Sequence, residues 1–265
     1  AEDGVALASI ITQYVSAVLI LIHMAHQGDD CTFHLRDLKT GLDRHEGNRI
    51  LGLGIPAGFQ NAIFAVANLF IQGAVNSFDS VMVEGNSAAA NADAVIYNVM
   101  AAFYTACATF MGQNRGAGKR DRVLKSYFIG VAYSFAAGAL LGGALFLFGR
   151  TFLSLFANEE AVIEAGLLRT RIMSFTYAVS AFMDCTIAAC RGIGKSLAPT
   201  VIVIMGSCVF RVAWIYTVFA HFHTIPSLYL LYIFSWTITA AAEIVCFTIS
   251  YKKLPAKQLE PVCLP

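Results

Sequence analysis

The stretch SAFMDCTIAACRGIGKS, residues 180–196, places one aspartate, Asp184, inside an apolar run that ends at Arg191 and Gly192. In a soluble domain such a carboxylate could lie in the core beside a partner. Inside a membrane a charged side chain costs about 2.5–3.5 kcal/mol on insertion scales, so it marks a functional site by default. The solvent around this helix therefore decides both the fold class and the role of Asp184.

The composition is that of a membrane protein. The 265 residues are 57% hydrophobic and only 13% charged, whereas globular chains average about 45–50% apolar and about 25% charged residues. So few charges cannot cover the surface of a soluble chain of this length, which excludes that class. The formal net charge is +1, so no long-range attraction to nucleic acid is expected.

The seven cysteines do not form a Cys-x-x-Cys pair, and five of them lie in apolar runs. There a thiol behaves as a small hydrophobic group. No disulfide framework, zinc site or bound cofactor is predicted, and no Ser-His-Asp or Cys-His arrangement indicates an enzyme. The GIGKS stretch at 192–196 lacks the first glycine of a phosphate-binding loop, since residue 189 is alanine, and it follows a membrane helix rather than a strand.

Seven apolar segments are long enough to cross a bilayer, which takes about 20 residues. They are Gly4–Met24, Ile50–Val75, Ala90–Met111, Tyr127–Gly149, Ala165–Cys190, Pro199–Ala220 and Leu228–Ser250. The predicted fold class is therefore an all-α integral membrane protein with seven transmembrane helices.

Lysine and arginine alternate between the two sides of these segments. Fourteen lie in connections 25–49, 112–126 and 191–198 and in the tail from 251, whereas connections 76–89, 150–164 and 221–227 contain only Arg150. Basic residues accumulate on the cytoplasmic side. We therefore expect a multi-pass protein of the cell inner (plasma) membrane, with the N-terminus of this chain outside and its C-terminus in the cytoplasm.

Three segments carry a polar stripe on one face. At about 100° per residue, positions three, four and seven apart share a face of a helix. The stripes are Asn61, Asn68 and Gln72 in the second segment, Asn91, Asn98, Thr105 and Thr109 in the third, and Tyr177, Ser180, Asp184 and Arg191 in the fifth. Such stripes either hold helices together or line a cavity. Asp184 favours a cavity because a charge is the most costly group to bury.

Two other charges inside the segments bear on Asp184. Arg211 in the sixth segment and Glu243 in the seventh are each alternative partners for it. A buried pair would make Asp184 a structural residue rather than an ion or proton site.

Arginines at the outer end of the fifth segment and a proline in the second have structural interpretations. Arg169 and Arg171 are expected to snorkel or to meet Glu164. Pro56 predicts either a bend beside the polar stripe or a position in the first turn of its helix.

With these motifs placed, the chain resembles the C-terminal half of a multidrug and toxic compound extrusion (MATE) family transporter. The resemblance rests on GIPAGFQNAIFAVANLFIQGAVNSF (54–78), GNSAAANAD (85–93), ATFMGQNRGAGKRDR (108–122), FMDCTIAACRGIGKSLAPTVIVIMGSCVFRVAWI (182–215) and SWTITAA (235–241). The combination of GQNxGAGK after one segment with RGxGxSxxP after another is specific, and the match covers nearly the whole chain.

The resemblance implies how the chain is organised. Family members have twelve spans in two six-helix lobes, and the first segment here corresponds to the family's sixth span. Residues 1–24 would be the last span of a truncated N-lobe, 25–49 a cytoplasmic inter-lobe linker, 50–250 the six-helix C-lobe and 251–265 a cytoplasmic tail. The missing N-terminal lobe of the same protein would be the partner of this chain.

The resemblance also implies a function. Family transporters export cationic amphipathic drugs across the lipid bilayer, in exchange for sodium ions or protons, by alternating access. The three striped segments correspond to the spans that form the cavity wall in this lobe. Candidate substrate- or ion-binding residues are Asp184, Tyr177, Ser180, Gln60, Asn61, Phe64, Asn68, Gln72 and Asn98. Phe64 and Tyr177 are expected to contact the drug, and Asp184 is expected to bind the sodium ion or proton; no other metal is expected.

The chain departs from one sodium-coupled branch of the family. That branch has a glutamate where this chain has Ile63 and Phe64, and its tenth-span aspartate aligns with Ser180, so Asp184 would stand in for it. Two alternatives stay open: a flippase for lipid-linked precursors in the same superfamily, and a seven-span receptor or sensor. A flippase would line its cavity with arginines that meet a pyrophosphate, and the striped segments supply only Arg191.

Overall fold

The computed structural model describes residues 2–26 and 43–255. The chain divides into two units, residues 1–51 and 52–265. Residues 27–42 of the expected linker and residues 256–265 of the expected tail, with Cys31 and Cys263, lie outside the described part.

The described residues form helices and no strand. Seven helices in this part of the chain are long and apolar enough to cross a membrane: α1 (Glu2–His26), α2 (Arg44–Val75), α3 (Ser80–Gly116), α4 (Arg120–Leu153), α5 (Glu160–Gly192), α6 (Leu197–Phe222) and α7 (Ile225–Lys252). The prediction of an all-α membrane protein with seven spans is confirmed.

The second unit is built around α5, which packs against α3, α4 and α7. The outer faces of the surrounding helices are apolar. In α4, Leu140 and Leu147 are each 74% exposed and Phe148 is 65% exposed. Contiguous exposed apolar surface of this kind is typical of a lipid-facing helix rather than of a water-facing one.

Glycines let α4 approach α5 closely. A Cβ atom on Gly142 would lie 2.2 Å from the Ser174 carbonyl oxygen, and one on Gly138 would lie 3.0 Å from the Tyr177 carbonyl oxygen. Glycines four residues apart lie on one helix face, where they allow two membrane helices to pack backbone to backbone. This contact fixes the position of α5, the helix that contains Asp184.

Helix α3 begins at Ser80, well before the start of the predicted third segment at Ala90. Asp79 is the N-cap, and its carboxylate accepts a 2.9 Å hydrogen bond from the backbone N–H of Met82. Glu84, Asn86 and Ser87 interrupt the apolar residues of the first turns, so hydropathy alone misses this capped start of the helix. Asp93 consequently lies more than three turns inside α3.

Two helices depart from regular α-helical geometry. Pro56 lies in the interior of α2, so the alternative that it occupies the first turn is wrong, and its ring provides no N–H for the carbonyl of Gly52. In α6, two π-helical segments, Ile204–Val209 and Ile215–Phe219, flank a short α-helical piece, Phe210–Trp214. Single π-helical turns inside membrane helices occur mainly at functional sites.

Candidate functional site

A cavity of about 340 Å³ lies within the second unit, between α2, α3, α5, α6 and α7. Four charged residues line it, two acidic and two basic: Asp93, Asp184, Arg169 and Arg211. The amide side chains on its wall are Asn68, Gln72 and Asn86. A polar cavity at this depth of a membrane protein is a candidate binding site because each buried charge has a desolvation cost.

Asp93 on α3 is held by two partners from α5. Its carboxylate forms an ion pair with Arg169 and accepts a hydrogen bond from the hydroxyl of Tyr177. The side chains of Asp93 and Arg169 are only 14% and 7% exposed. Arg169 also donates a 2.7 Å hydrogen bond to the backbone carbonyl of Asn86, so Asp93 is fixed in place.

The network around Asp93 continues to α7. The ring of Tyr229 lies 5.5 Å from the Arg169 guanidinium, and its hydroxyl donates a 2.7 Å hydrogen bond to the Asn86 side chain. Arg169 therefore contacts a carboxylate, a backbone carbonyl and an aromatic face, and three helices meet at this point.

Arg211 lies on the opposite wall in a cage of aromatic rings. Its guanidinium carbon is 5.2 Å from the ring centre of Phe64, 4.6 Å from that of Tyr232 and 5.6 Å from that of Trp236. Its Nε donates a 3.3 Å hydrogen bond to the Ser235 hydroxyl. One terminal nitrogen, Nη2, is buried and has no hydrogen-bond partner among the described residues.

Asp184 shares the cavity with Arg211 and has no direct partner among the described residues. Within residues 2–26 and 43–255 its carboxylate forms no hydrogen bond and no ion pair, although Arg211 and Arg191 are close enough to attract it electrostatically. The pairing of Asp184 with Arg211 or with Glu243, left open by the sequence, is absent from the described structure. Asp184 is therefore the available carboxylate of the cavity.

Four of the predicted site residues line the cavity: Phe64, Asn68, Gln72 and Asp184. Phe64 contributes its ring to the cage around Arg211. The amide of Gln72 donates to Asn76 at 2.9 Å and accepts from Asn86 at 3.5 Å. Asn68 and Gln72 of the second segment and Asp184 of the fifth thus meet at one cavity.

The structure places the other predicted site residues outside the cavity wall. Tyr177 and Ser180 are fully buried within the helix packing, where the Ser180 hydroxyl donates to the Tyr177 carbonyl at 3.0 Å. Gln60 is buried too and accepts a 2.9 Å hydrogen bond from Arg191. Asn61 is exposed two turns before Asn68 on α2, and Asn98 is exposed on a face of α3 outside the cavity. Tyr177 thus acts on the cavity through Asp93 rather than through its ring.

The interpretation of Arg169 requires a correction. Arg169 was predicted to snorkel or to meet Glu164, but Glu164 pairs with Arg150 at 2.8 Å and Arg169 pairs with Asp93. Helix α5 begins at Glu160, so Arg169 is already more than two turns inside it and cannot reach the end of the helix. The expectation that no arginine other than Arg191 faces the cavity is therefore wrong as well.

Sequence reasoning missed several cavity residues: Asn86, Asp93, Tyr97, Tyr232 and Trp236. The signal for Asp93 was present. Asp93 in the third segment and Arg169 in the fifth are charges of opposite sign within membrane spans, and such charges are expected to pair because neither is tolerated alone. For the aromatic residues there was no such signal, since aromatic side chains are common on every face of a membrane helix.

The sequence matches the MatE family over residues 56–217. It is 24% identical over 202 residues to a protein named as a probable multidrug resistance protein, NorM, of Thermotoga maritima, covering 75% of this chain and 42% of the relative. It is 28% identical over 132 residues to the probable multidrug resistance protein YpnP of Bacillus subtilis, covering 50% of this chain and 30% of that protein. The matched region is thus less than half of the length of each of these relatives.

Solved structures share the fold. A MOP superfamily transporter from Pyrococcus furiosus superposes with a TM-score of 0.83 at 17% identity, over 94% of this chain and 56% of that one. The outward-facing conformation of a multidrug resistance MATE family transporter gives a TM-score of 0.82 at 19% identity, with the same coverage. At 17–19% identity, the likeness to these two structures establishes the arrangement of helices and nothing further.

Proposed function

Because this chain belongs to the MatE family, we propose that it forms one lobe of a transporter that exports amphipathic cationic drugs in exchange for sodium ions or protons. The names of the two relatives as probable multidrug resistance proteins support drugs as the substrate class. The function is transport rather than catalysis, and the coupling ion takes the place of a cofactor.

The observation that carries the proposal is the unpartnered carboxylate of Asp184 in a polar cavity of a membrane helix bundle. A carboxylate without a fixed partner can bind a sodium ion, a proton or the positive group of a drug, but only one of them at a time. That competition is the requirement for antiport, because loading of the ion releases the drug. Asp93 does not meet this requirement, since Arg169 already neutralises it.

The aromatic rings of the cavity give the substrate its lipophilic contact. An aromatic face attracts a cation by about 0.5–2 kcal/mol, but Arg211 already occupies the faces of Phe64, Tyr232 and Trp236. A drug cation would therefore sit at Asp184, with its apolar part against the outer edges of Phe64 and Trp236. In this arrangement Asn68 and Gln72 offer adaptable hydrogen bonds.

Alternating access requires a second lobe, because two bundles must rock about a shared site near the middle of the membrane. We place this chain as the sixth span and C-terminal lobe of such a pair, in the inner (plasma) membrane. The N-terminal residue would lie outside and the C-terminal residue in the cytoplasm, an orientation that the distribution of lysine and arginine supports. The partners are the N-terminal lobe, the lipid bilayer and the drug.

A second candidate function is a flippase for a lipid-linked precursor. The two cavity arginines favour it. The buried Nη2 of Arg211 has no partner among the described residues and could donate a hydrogen bond to an oxygen of an anionic headgroup. The structural neighbour from Pyrococcus furiosus is described as having a binding pocket of reverse polarity that suggests a different function. The charge of the ligand therefore separates the two candidates.

Ligand binding to the purified chain in nanodiscs tests the sign of that charge. Rhodamine 6G serves as the lipophilic cation and farnesyl diphosphate as the lipid-linked anion. We expect rhodamine 6G to bind and to be displaced by sodium ions or by acid, and Arg211→Gln to leave this binding intact. Tight binding of farnesyl diphosphate that is lost in Arg211→Gln would establish the flippase instead.

Transport by the chain joined to an N-terminal lobe identifies the coupling ion. Proteoliposomes receive either a sodium gradient or a pH gradient, and dye uptake is followed. We expect uptake with one of the two gradients and none from vesicles that contain this chain alone. Robust uptake by the chain alone would contradict the two-lobe arrangement.

A further inference from the structure

A second polar cluster lies between α5 and α7, apart from the cavity. It consists of Cys190, two residues before the end of α5, and of Glu243 and Cys246 on α7. The two thiol sulfurs and one carboxylate oxygen all lie within 4.8 Å of one another. Glu243 and Cys246 are three residues apart, so they project from adjacent turns on the same face of α7.

Glu243 is the unexplained member of this cluster. Its side chain is 0% exposed, and neither carboxylate oxygen has a hydrogen-bond partner among the described residues. A buried carboxylate without a partner carries a large desolvation cost. Arg191 attracts it electrostatically, but the guanidinium of Arg191 donates its hydrogen bond to Gln60 instead. A positive ligand is therefore what this position lacks.

The two types of ligand, thiol and carboxylate, favour one class of ion. Thiolates select soft or borderline metals, and zinc is commonly bound by cysteine together with a carboxylate. Two sulfurs on one zinc can be at most about 4.6 Å apart, which is twice the Zn–S distance of about 2.3 Å. Small changes in side-chain rotamers bring the present separations into that range. Two thiolates and a carboxylate beside Arg191 leave two negative charges, which a divalent cation neutralises.

We propose that Cys190, Glu243 and Cys246 bind a thiophilic divalent cation, Zn²⁺ in the first instance, that fastens the end of α5 to α7. The three side chains leave the fourth tetrahedral position open for water. Cys246 is half-buried and lies six residues before the end of α7 at Lys252. The site is independent of the proposed transport and of the cavity around Asp184.

Zinc binding is measured on the purified chain with its thiols kept reduced. Cys31 and Cys263 are replaced by Ser in every sample so that they cannot contribute ligands. Dialysed protein is titrated with Zn²⁺ by calorimetry, and Co²⁺ then reports thiolate ligation through its visible charge-transfer band. We expect one ion per chain.

Single ligand variants assign the site. Cys190→Ser, Cys246→Ser and Glu243→Gln should each weaken zinc binding by more than about 100-fold, which exceeds the 10–100-fold effect of losing an outer hydrogen-bond partner. The matched control is Cys107→Ser. Cys107 lies against Cys185, so it is also one of two adjacent thiols, but among the described residues this pair is not part of a group of three close ligand atoms. This control should bind zinc as the parent does.

Glu243→Gln also tests whether a loss of zinc binding is caused by misfolding. Because it removes an unpartnered buried charge, the variant should fold at least as stably as the parent in chelator, and its melting temperature should no longer rise with zinc. The proposal is overturned if the parent binds no zinc with its thiols reduced. It is equally overturned if Glu243→Gln and Cys190→Ser bind as tightly as the parent, or if Cys107→Ser abolishes binding.

Discussion

The two aspartates of the cavity have opposite surroundings. Asp93 is held by an ion pair with Arg169 and a hydrogen bond from Tyr177, whereas Asp184 has neither kind of contact with the described residues. Both carboxylates line one cavity, so the difference arises from their neighbours and not from depth alone. A paired charge stabilises the helix packing and is unavailable to a ligand. An unpaired charge lowers stability, but it is available to bind a ligand.

The largest effect that separates the two aspartates is expected from Arg169→Gln. Removing one member of a buried pair costs about 3–5 kcal/mol, because the other charge is left uncompensated. The free energy of unfolding in detergent should fall by that amount, measured by denaturant titration. The double variant Asp93→Asn with Arg169→Gln should recover most of the loss.

The control for that measurement is Arg171→Gln. Arg171 lies two residues further along α5 and is exposed. Its replacement should change stability by less than about 0.5 kcal/mol. Equal losses in the two single variants would show that Arg169 contributes no more than a surface arginine.

A smaller loss is expected from Tyr177→Phe, which removes only the hydroxyl that donates to Asp93. Leaving a buried acceptor short of one donor costs about 1–3 kcal/mol. Tyr133→Phe on the exposed face of α4 should have no effect, since Tyr133 is 60% exposed. A Tyr177→Phe variant of parental stability with weakened dye binding would instead favour the direct substrate contact first expected of this residue.

Asp184→Asn should weaken ligand binding without lowering the stability of the fold. The free energy of unfolding should stay level or rise, because an uncompensated charge is removed. Rhodamine 6G binding should weaken at least tenfold, equivalent to about 1.4 kcal/mol, and its sensitivity to sodium ions or acid should disappear. If the double variant Asp184→Asn with Arg211→Gln restores full ion-dependent binding and transport, Asp184 serves only to balance Arg211.

The smallest effect is expected at two asparagines, both of which the sequence placed on the cavity wall. Asn68→Ala removes an amide from the cavity wall, and Asn98→Ala removes one from the exposed face of α3. We expect the first to weaken dye binding by about 0.5–1.5 kcal/mol, the contribution of a single hydrogen bond, and the second to leave it unchanged. Equal effects would extend the binding surface to the exposed face of α3 that contains Asn98.

The sequence was sufficient for the number and order of the spans. Apolar length is a direct physical requirement of the bilayer, and it can be counted along the chain. The polar faces of α2 and α5 were also predictable, because Asn68, Gln72 and Asp184 stand out in apolar surroundings. The family resemblance, confirmed by the match over residues 56–217, depended on the same stretches.

The face of α3 that lines this cavity is different from the predicted stripe. Asn86, Asp93 and Tyr97 line it, whereas Asn98 is exposed, and the assignment of Asn98 to a transport cavity stays a prediction. The assumed start at Ala90 placed Asp93 at the edge of the membrane, and the cap at Asp79 moves it inward. A one-dimensional stripe also does not reveal which neighbouring helix faces it. The partnership of Asp93 with Arg169 depends on that three-dimensional packing.

Because α6 contains two π-helical segments, the direction in which Arg211 points depends on the number of residues in the helix. Each such segment typically reflects one residue inserted into an α-helix. Deleting a residue from Ile204–Val209 would restore α-helical spacing and turn Arg211 by about 100° relative to the preceding part of the helix. The guanidinium would then leave the rings of Phe64, Tyr232 and Trp236 without any side chain having been substituted. The polarity of this cavity is thus encoded partly in the length of a helix, and relatives can differ in cavity charge through a deletion alone.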